Sequence, residues 1–583
     1  MRINFLQTKK GERIDLPNKI TVFVGPNNAG KSQTLKDIRC MLDRQQSPIK
    51  EPVILRDDTS CFNIPTLDDV RSFLYFKDST SNVNHYTVGG ILCNLIQRNS
   101  VEIHKPQMDK YDASDDEGRF LFFQYFSKYY FALMDAETRL KLSSETTSFN
   151  PLEKEPENLL HTLFKNQDIE KMLQEAFLGA FQQNIKLDIS QLTKLCFRIG
   201  KEVAKIPADT RVAHKVAKNF PKLDSQGDGY RSFAGIIVGL LLCKERIIML
   251  DEPEAFLHPA QAFYLGKWIG ENQGLLGSQL LICTHSSNFL SGMLTGTQEL
   301  QIIRLQRDGN DTTYNVLAAD IAVQLIKNPI LSSQRVIEGI FHKGVVICEA
   351  DADRAIYQSV ASICHNSNRE ILFIHAHNKQ TLAVVADVLK DTGTPVTVIA
   401  DIDILRPGKD LENVYKVLTG QPLEEELNRM QDMLVNHIDS RPEDEVFQEL
   451  KSNIDKLVEQ LNKNEHSLEG ARAALKRIHG ETSKWSAMKK QGIRWLNDEQ
   501  RENASQLISY LSKVGFFVVP VGELEGWIDL VEKRKNKWIV PALEAIYDQK
   551  TPRGLRLFVG DVLNFFKGNG CSNVESWISE TIS

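Results

Sequence analysis

The run Gly25-Pro26-Asn27-Asn28-Ala29-Gly30-Lys31-Ser32 follows the spacing G-x-x-x-x-G-K-[ST]. Glycines at those positions let backbone N–H groups turn inward around phosphate oxygens. A helix beginning at the lysine aims its positive dipole end at the same anion. The chemistry this implies is binding of a nucleoside triphosphate, ATP, with Mg²⁺. Lys31 would reach the β- and γ-phosphates and Ser32 would ligate the metal. Gly25, Asn27, Asn28, Gly30 and Gln33 complete the candidate contacts of the loop. A second element, Ile247-Ile248-Met249-Leu250-Asp251-Glu252-Pro253, is an apolar run ending in two carboxylates. Asp251 would hold Mg²⁺ through water, and Glu252 would polarise the attacking water. A strand ending in acids is common in isolation; beside the phosphate loop it selects a nucleotide hydrolase. His285, in Thr284-His285-Ser286 after the apolar run Leu280–Cys283, is a candidate sensor of the γ-phosphate.

The second half carries a different set of acids. Val345-Val346-Ile347-Cys348-Glu349 ends an apolar strand on a glutamate, and Asp353 follows one helical turn later, on the same side. Thr397-Val398-Ile399-Ala400-Asp401-Ile402-Asp403 repeats the device, with Asp401 and Asp403 two apart on one face of an extended segment. In parallel α/β sheets, ligands gather at such strand ends. Carboxylates grouped there repel unless a cation neutralises them, and hard oxygen donors suit Mg²⁺ or Mn²⁺. Glu349, Asp353, Asp401 and Asp403 are therefore candidate metal ligands.

The elements that must position these residues follow from the pattern. Ile20–Val24 reads as a strand before the phosphate loop, and 33–42 as the helix after it. Residues 45–220 read as mixed and mostly helical. Ser225–Gly229 is a Gly-rich turn before an apolar helix reaching Cys243. Arg246–Leu250 and Gln279–Cys283 are buried strands, and Leu300–Leu305 with Tyr314–Leu317 suit a hairpin. A helical connector, roughly 318–342, leads to a second alternation of strand and helix from Gly344, which implies a parallel sheet covered by helices. Residues 408–505 are charged, helical and nearly strandless, an insertion before the strand Phe516–Pro520. The expected architecture is α/β: an ATPase domain over 1–340 with a helical insertion in 45–220, then a domain over 341–583 with its own insertion.

Bulk composition narrows the class. The 583 residues are 42% hydrophobic and 25% charged, as in ordinary globular proteins. Nine cysteines are scattered singly, which argues against a zinc site or redox dithiol and for thiols in a reducing cytoplasm. The first residues lack a signal-peptide core, and apolar stretches such as Ala234–Cys243 are too short to span a bilayer. A soluble, cytoplasmic protein without a membrane is expected. The net charge of −6 means that any DNA must be held through local basic patches.

The first-half blocks resemble the ABC/SMC-type ATPases, whose heads dimerise and sandwich ATP. Leu223-Asp224-Ser225-Gln226-Gly227-Asp228-Gly229 is similar to their signature turn but departs from Leu-Ser-Gly-Gly-Gln. The resemblance makes Ser225, Gly227 and Gly229 candidate contacts to the γ-phosphate of a second copy. The second-half acids resemble a Toprim domain, which implies metal-assisted phosphodiester cleavage. By the same resemblance Glu523, or next Glu525, in Gly522-Glu523-Leu524-Glu525-Gly526-Trp527 is the late acid, and Lys537 the lysine near the scissile phosphate. The order ATPase then Toprim is similar to the OLD family (overcoming lysogenisation defect), and Trp485–Leu496, with Lys489-Lys490-Gln491-Gly492-Ile493, also looks like the segment before the last Toprim strand. That resemblance implies an Mg²⁺- or Mn²⁺-dependent DNA endonuclease in bacterial anti-phage defence, controlled by nucleotide or a partner. It further implies a dimer or higher homo-oligomer, with a helicase or a retron reverse transcriptase and its DNA–RNA product as partner classes. The competing expectation is a non-nucleolytic, SMC/RecF-like DNA-repair ATPase, which would have no use for the second set of acids. A primase is disfavoured because no cysteine-rich zinc module is present.

Overall fold

The structure is a computed structural model. It describes residues 1–583 apart from 18, 44–46, 93–96, 319–333, 367–369, 441, 463–469, 473–474, 476–477, 479–483, 531–534, 569 and 583. Most of the expected connector 318–342, together with Lys533 and Arg534 of the basic run before Trp538, lies outside the described residues. The chain divides into two compact units, Met1–Phe341 and His342–Ser583.

The first unit is built on a six-stranded sheet. From edge to edge its strands are Asp311–Val316, Leu300–Asp308, Ile20–Val24, Gln279–Cys283, Ile247–Asp251 and Phe131–Met134. All neighbours run parallel except the hairpin of Leu300–Asp308 with Asp311–Val316. Ile20–Val24 and Gln279–Cys283 are buried at every position, as strands covered on both faces require. Their neighbour Ile247–Asp251 is buried until its final aspartate. The helix Asp228–Leu242, buried from Ser232 to Leu241, belongs to the same core.

Residues 45–220 are mixed, with more strand than the sequence pattern suggests. They hold two three-stranded antiparallel sheets, one of Tyr75–Asp78, His85–Ile91 and Arg98–His104, the other of Thr146–Thr147, Lys194–Gly200 and Asn184–Asp188. They also supply the edge strand Phe131–Met134, so this stretch is part of the ATPase sheet and not only an insertion. Short strands with polar, solvent-facing positions, such as Arg98–His104, lack the long apolar run that marks a buried parallel strand.

The second unit has a four-stranded, wholly parallel sheet in the order Ile371–His375, Gly344–Cys348, Val396–Ala400, Phe516–Val518. The chain leaves Gly344–Cys348 toward one side of the sheet and returns to the other, so the order reverses between Gly344–Cys348 and Val396–Ala400. Such a switch point opens a crevice at the carboxyl ends of the strands. In 408–505 the described residues form helices, among them Asp410–Thr419, Glu425–Asp439, Glu443–Asn462 and Ser486–Gln491. No helix among the described residues is long and apolar enough to cross a membrane. The eight described cysteines are free thiols.

Candidate functional site

In the first unit the sheet order decides which residues meet. The strand Gln279–Cys283 lies between the phosphate-loop strand and the acidic strand, with Cys283 level with both Phe23 and Asp251. The phosphate loop, Asp251-Glu252 and Thr284-His285 therefore end at one edge. Gly25 (φ 133°) and Gly30 (φ 101°) hold the loop in conformations that side chains rarely adopt. A Cβ on Gly25 would stand 2.2 Å from Leu305 O. Asn28, also left-handed at φ 62°, and Asn27 are exposed at the loop tip. The helix Lys31–Leu42 starts at the loop with Gly30 as its N-cap.

Lys31 is buried and donates to Gly25 O and Pro26 O, each at 2.7 Å. Burial pulls its ammonium down to about 8, against the pull of nearby acids. Ser32 Oγ donates to Asp251 Oδ1 at 2.8 Å, which joins the two predicted metal-site residues directly. Burial raises the Asp251 carboxyl above its usual range although that hydrogen bond opposes it. Gln33 spends its amide on Asp37. Glu252 is exposed, takes a left-handed backbone (φ 49°), and its Oε1 stands 3.3 Å from His285 Nε2. Burial, and then Lys31, lowers the His285 pKa to about 4, so a neutral imidazole faces the Glu252 carboxylate. An NMR titration of His285 should show no protonation between pH 8 and about 5; a midpoint near the ordinary value of ~6.5 would refute this.

Two residues of this edge went unrecognised in the sequence. Glu254 accepts from Thr284 Oγ1 at 2.8 Å and from the His285 N–H at 2.7 Å, fixing the sensor turn. Arg139, fully buried, donates to Met134 O (2.9 Å), Asp251 O (2.6 Å), Glu252 O (3.0 Å) and Ser232 Oγ (3.1 Å). It thereby ties the acidic turn to the helix that follows the signature. Gly235 makes room for this, since a Cβ there would stand 2.1 Å from Arg139 O. No local pattern distinguishes Arg139 from any surface arginine.

The signature turn closes mainly on itself: Ser225 Oγ donates to Lys222 O at 2.7 Å, and the Gln226 N–H to Leu223 O. Ser225 and Gly227 are exposed, and a Cβ on Gly227 would meet nothing within 4 Å. Gly229, half-buried, packs against Phe256 O.

In the second unit Glu349 and Asp401 follow adjacent strands at the switch point, and Glu349 accepts from the Asp401 N–H. Burial, then Asp403 and Asp353, raise the Glu349 carboxyl above its usual range, and its buried Oε2 has no hydrogen-bond partner among the described residues. Asp353 is buried, and its Oδ2 accepts from the Ala350 N–H at 2.8 Å, so part of its work is to start the helix Asp351–His365. Asp401 and Asp403 are buried, and Asp403 Oδ1 has no hydrogen-bond partner among the described residues.

Glu523 joins the group through backbone ties between distant segments. The Val519 N–H donates to Ala400 O, Ile402 N–H to Gly522 O, and Ile493 N–H to Pro520 O. The last tie needs two glycines. Gly492 has φ 63° and ψ −149°, a region essentially limited to glycine, and a Cβ on it would stand 2.0 Å from Pro520 O. Gly522 has φ 100°, and its Cβ would stand 2.2 Å from Lys489 O. The contact delivers Lys489, whose Nζ stands 3.0 Å from Glu523 Oε1 and 3.7 Å from Asp403 Oδ2. Burial would lower the Lys489 pKa, but Glu523 and Asp403 outweigh it and hold it above its usual value. Lys537 is exposed on the helix Lys535–Tyr547, and among the described residues no ion pair joins it to the acids. Glu525 is half-buried on the turn Leu524–Gly526. The sequence marks Lys489 only as part of a family-like segment, because nothing local says where a lysine in a charged insertion points.

Gly492→Ala is expected to destabilise the second unit by about 3 kcal/mol, since the new methyl meets backbone and the φ/ψ region is closed to alanine. Urea unfolding followed through both units measures it; an unchanged midpoint would show that the 489–492 turn moves freely.

The acids suit a hard divalent cation in donor type, and two of their buried oxygens lack protein partners. As they stand, no three such side chains among the described residues form a ready ligand group, so binding requires rotamer adjustment within the cluster.

Residues 109–291 match the family described as "AAA domain, putative AbiEii toxin, Type IV TA system". Residues 340–403 match "Overcoming lysogenization defect protein-like, TOPRIM domain". The first span contains Arg139, the signature, Asp251-Glu252 and His285, with the phosphate loop before it; the second contains Glu349, Asp353, Asp401 and Asp403. Among solved structures, the chain is similar to an Smc head bound to the C-winged helix domain of ScpA, with 12% identity over 56% of this chain and 100% of that chain, at a TM-score of 0.33. It is also similar to the SMC head domain from Thermotoga maritima, with 11% identity over 55% and 100%, at a TM-score of 0.27. No curated protein matches the chain in sequence.

Proposed function

The chain carries an ATPase domain followed by an OLD-like TOPRIM domain, the make-up of an OLD-family ATPase–Toprim protein, and from that premise we propose that it is a divalent-metal-dependent DNA endonuclease whose activity is controlled by nucleotide. The observation that carries this reading is the grouping of Glu349, Asp401, Asp403 and Glu523 with Lys489 at the switch point of the second sheet. Glu349, Asp401 and Asp403, with Glu523 and Asp353 beside them, would hold the metal. Bound there, a divalent cation activates water and stabilises the leaving oxygen of a phosphodiester. The residues themselves fix the strand ends and place a lysine against the acids. Mg²⁺ and Mn²⁺ both suit these donors.

In the first unit, Lys31 and the loop N–H groups would take the triphosphate, and Ser32 with Asp251 the Mg²⁺. Glu252 would orient water, with neutral His285 beside it. The exposed Ser225 and Gly227 suit contact with the nucleotide of a second copy, so a dimer or larger homo-oligomer completes the site. The setting proposed with it is cytoplasmic anti-phage defence, with a helicase or a reverse transcriptase and its DNA–RNA product as candidate partners.

The test is cleavage of supercoiled plasmid by the purified chain with Mg²⁺ or Mn²⁺, with and without ATP, against a chelated control. Metal-dependent nicked, linear or degraded DNA supports the reading. Intact plasmid under every condition, alongside ATP hydrolysis, would favour the non-nucleolytic DNA-repair ATPase.

A further inference from the structure

Three cations stand around the Asp403 carboxylate without closing on it. Its Oδ2 has Lys379 Nζ at 3.7 Å, Lys489 Nζ at 3.7 Å and Arg406 Nη1 at 4.0 Å. None of these reaches hydrogen-bonding distance of that oxygen. The three cations come from separate elements. Lys379 opens the helix Lys379–Asp391, Arg406 closes the turn after Val396–Ala400, and Lys489 is on the helix Ser486–Gln491 of the insertion. Each is anchored by something else. Lys379 donates to Asp403 O at 3.4 Å and stands 4.0 Å from Asp410. Lys489 bonds Glu523, and the Arg406 guanidinium lies 5.8 Å from the centre of the buried Trp485 ring. Their side chains stay 20%, 32% and 36% exposed for Lys379, Arg406 and Lys489, whereas Asp403 is 10% exposed.

Lys489 and Lys379 also offset Glu523 and Asp410, yet none of the three cations closes on Asp403 Oδ2. Several cations held at a small stand-off, partly open to solvent and beside the acids, match an anion with several acceptor oxygens instead. A phosphodiester presents two such oxygens, and lysine ammonium and arginine guanidinium supply three and five donors. We infer that Lys379, Arg406 and Lys489 form a grip for the backbone phosphate of a nucleic-acid strand at the carboxylate cluster. The inference rests on the proposed nuclease reading and deepens it by naming the groups that hold the substrate.

Phosphate contacts are counted by the salt dependence of binding, because each releases counterions and contributes about 0.9 to the slope of log K against log[salt] on duplex DNA. The experiment measures binding of a random-sequence duplex to the full chain in EDTA over a range of salt. Lys379→Gln, Arg406→Gln and Lys489→Gln are each expected to flatten the slope by about 0.9, and Lys379→Arg and Lys489→Arg to restore it. Weaker binding with unchanged slopes, or no binding by the wild-type chain, would overturn the grip. Cleavage with Mg²⁺ or Mn²⁺ is scored separately. If slopes change but the wild-type chain never cuts, the nuclease reading fails and the grip stands; if it cuts and the slopes do not change, the grip alone fails.

Discussion

Asp401→Ala is expected to lower metal-dependent DNA cleavage by about 10³-fold or more, the effect of losing several kcal/mol of metal-borne stabilisation. Asp401 ends a buried parallel strand at the switch point, and its N–H also supports Glu349. The side chain can therefore be removed while the backbone tie remains. Asp401→Asn separates charge from shape, since it keeps the volume and loses the anionic oxygen; it should fail almost as completely as alanine. Plasmid nicking measures the loss, and thermal unfolding shows whether the variants are folded. A folded Asp401→Ala chain that cuts within about tenfold of wild type would remove Asp401 from the site.

Arg139→Ala is expected to destabilise the first unit by about 4 kcal/mol and to suppress ATP hydrolysis. The guanidinium serves three backbone carbonyls and Ser232 Oγ from a fully buried position. Truncation leaves buried acceptors without donors, each costing about 1–3 kcal/mol, and a cavity beside them. Arg139→Lys keeps the charge but cannot span the same fork. Two of the carbonyls belong to Asp251 and Glu252, so the damage should reach catalysis before the unit unfolds. Urea unfolding and steady-state hydrolysis at a temperature where the variant stays folded separate the two effects. Normal hydrolysis in a folded Arg139→Lys variant would reduce Arg139 to a packing residue.

The two predictions differ in how visible their residues are in the sequence. Asp401 is legible because a mostly apolar strand that stops at an acid puts that acid at the carboxyl end, where a second motif beside it gives the pair a functional reading. The same holds for Glu349 and for Asp251-Glu252. The phosphate loop is legible because its function is carried by backbone geometry that only particular residues at fixed spacing permit. Arg139 is illegible because its meaning lies in what surrounds it, and burial of one arginine leaves no trace in neighbouring residue types. The strands of 45–220 are faint in the sequence for a related reason, since short antiparallel strands draw their stability from partners and not from their own apolar run.

Lys489 and Lys537 make the same point about the candidate lysine. The family resemblance points to Lys537, within a run of basic residues. The tertiary structure brings Lys489 to the acids through the contact of Gly492 with Pro520 and of Gly522 with Lys489. The sequence by itself determined what is local and periodic: the phosphate loop, the acid-tipped strands, the α/β alternation and hence the two kinds of chemistry. The tertiary structure alone brings His285 to Glu252, sets Arg139 against the acidic turn, and adds Lys379 and Lys489 to the neighbouring Arg406 around Asp403. Those outcomes depend on sheet order and on close backbone contacts between segments far apart in the chain, and no local spacing encodes which segments will touch.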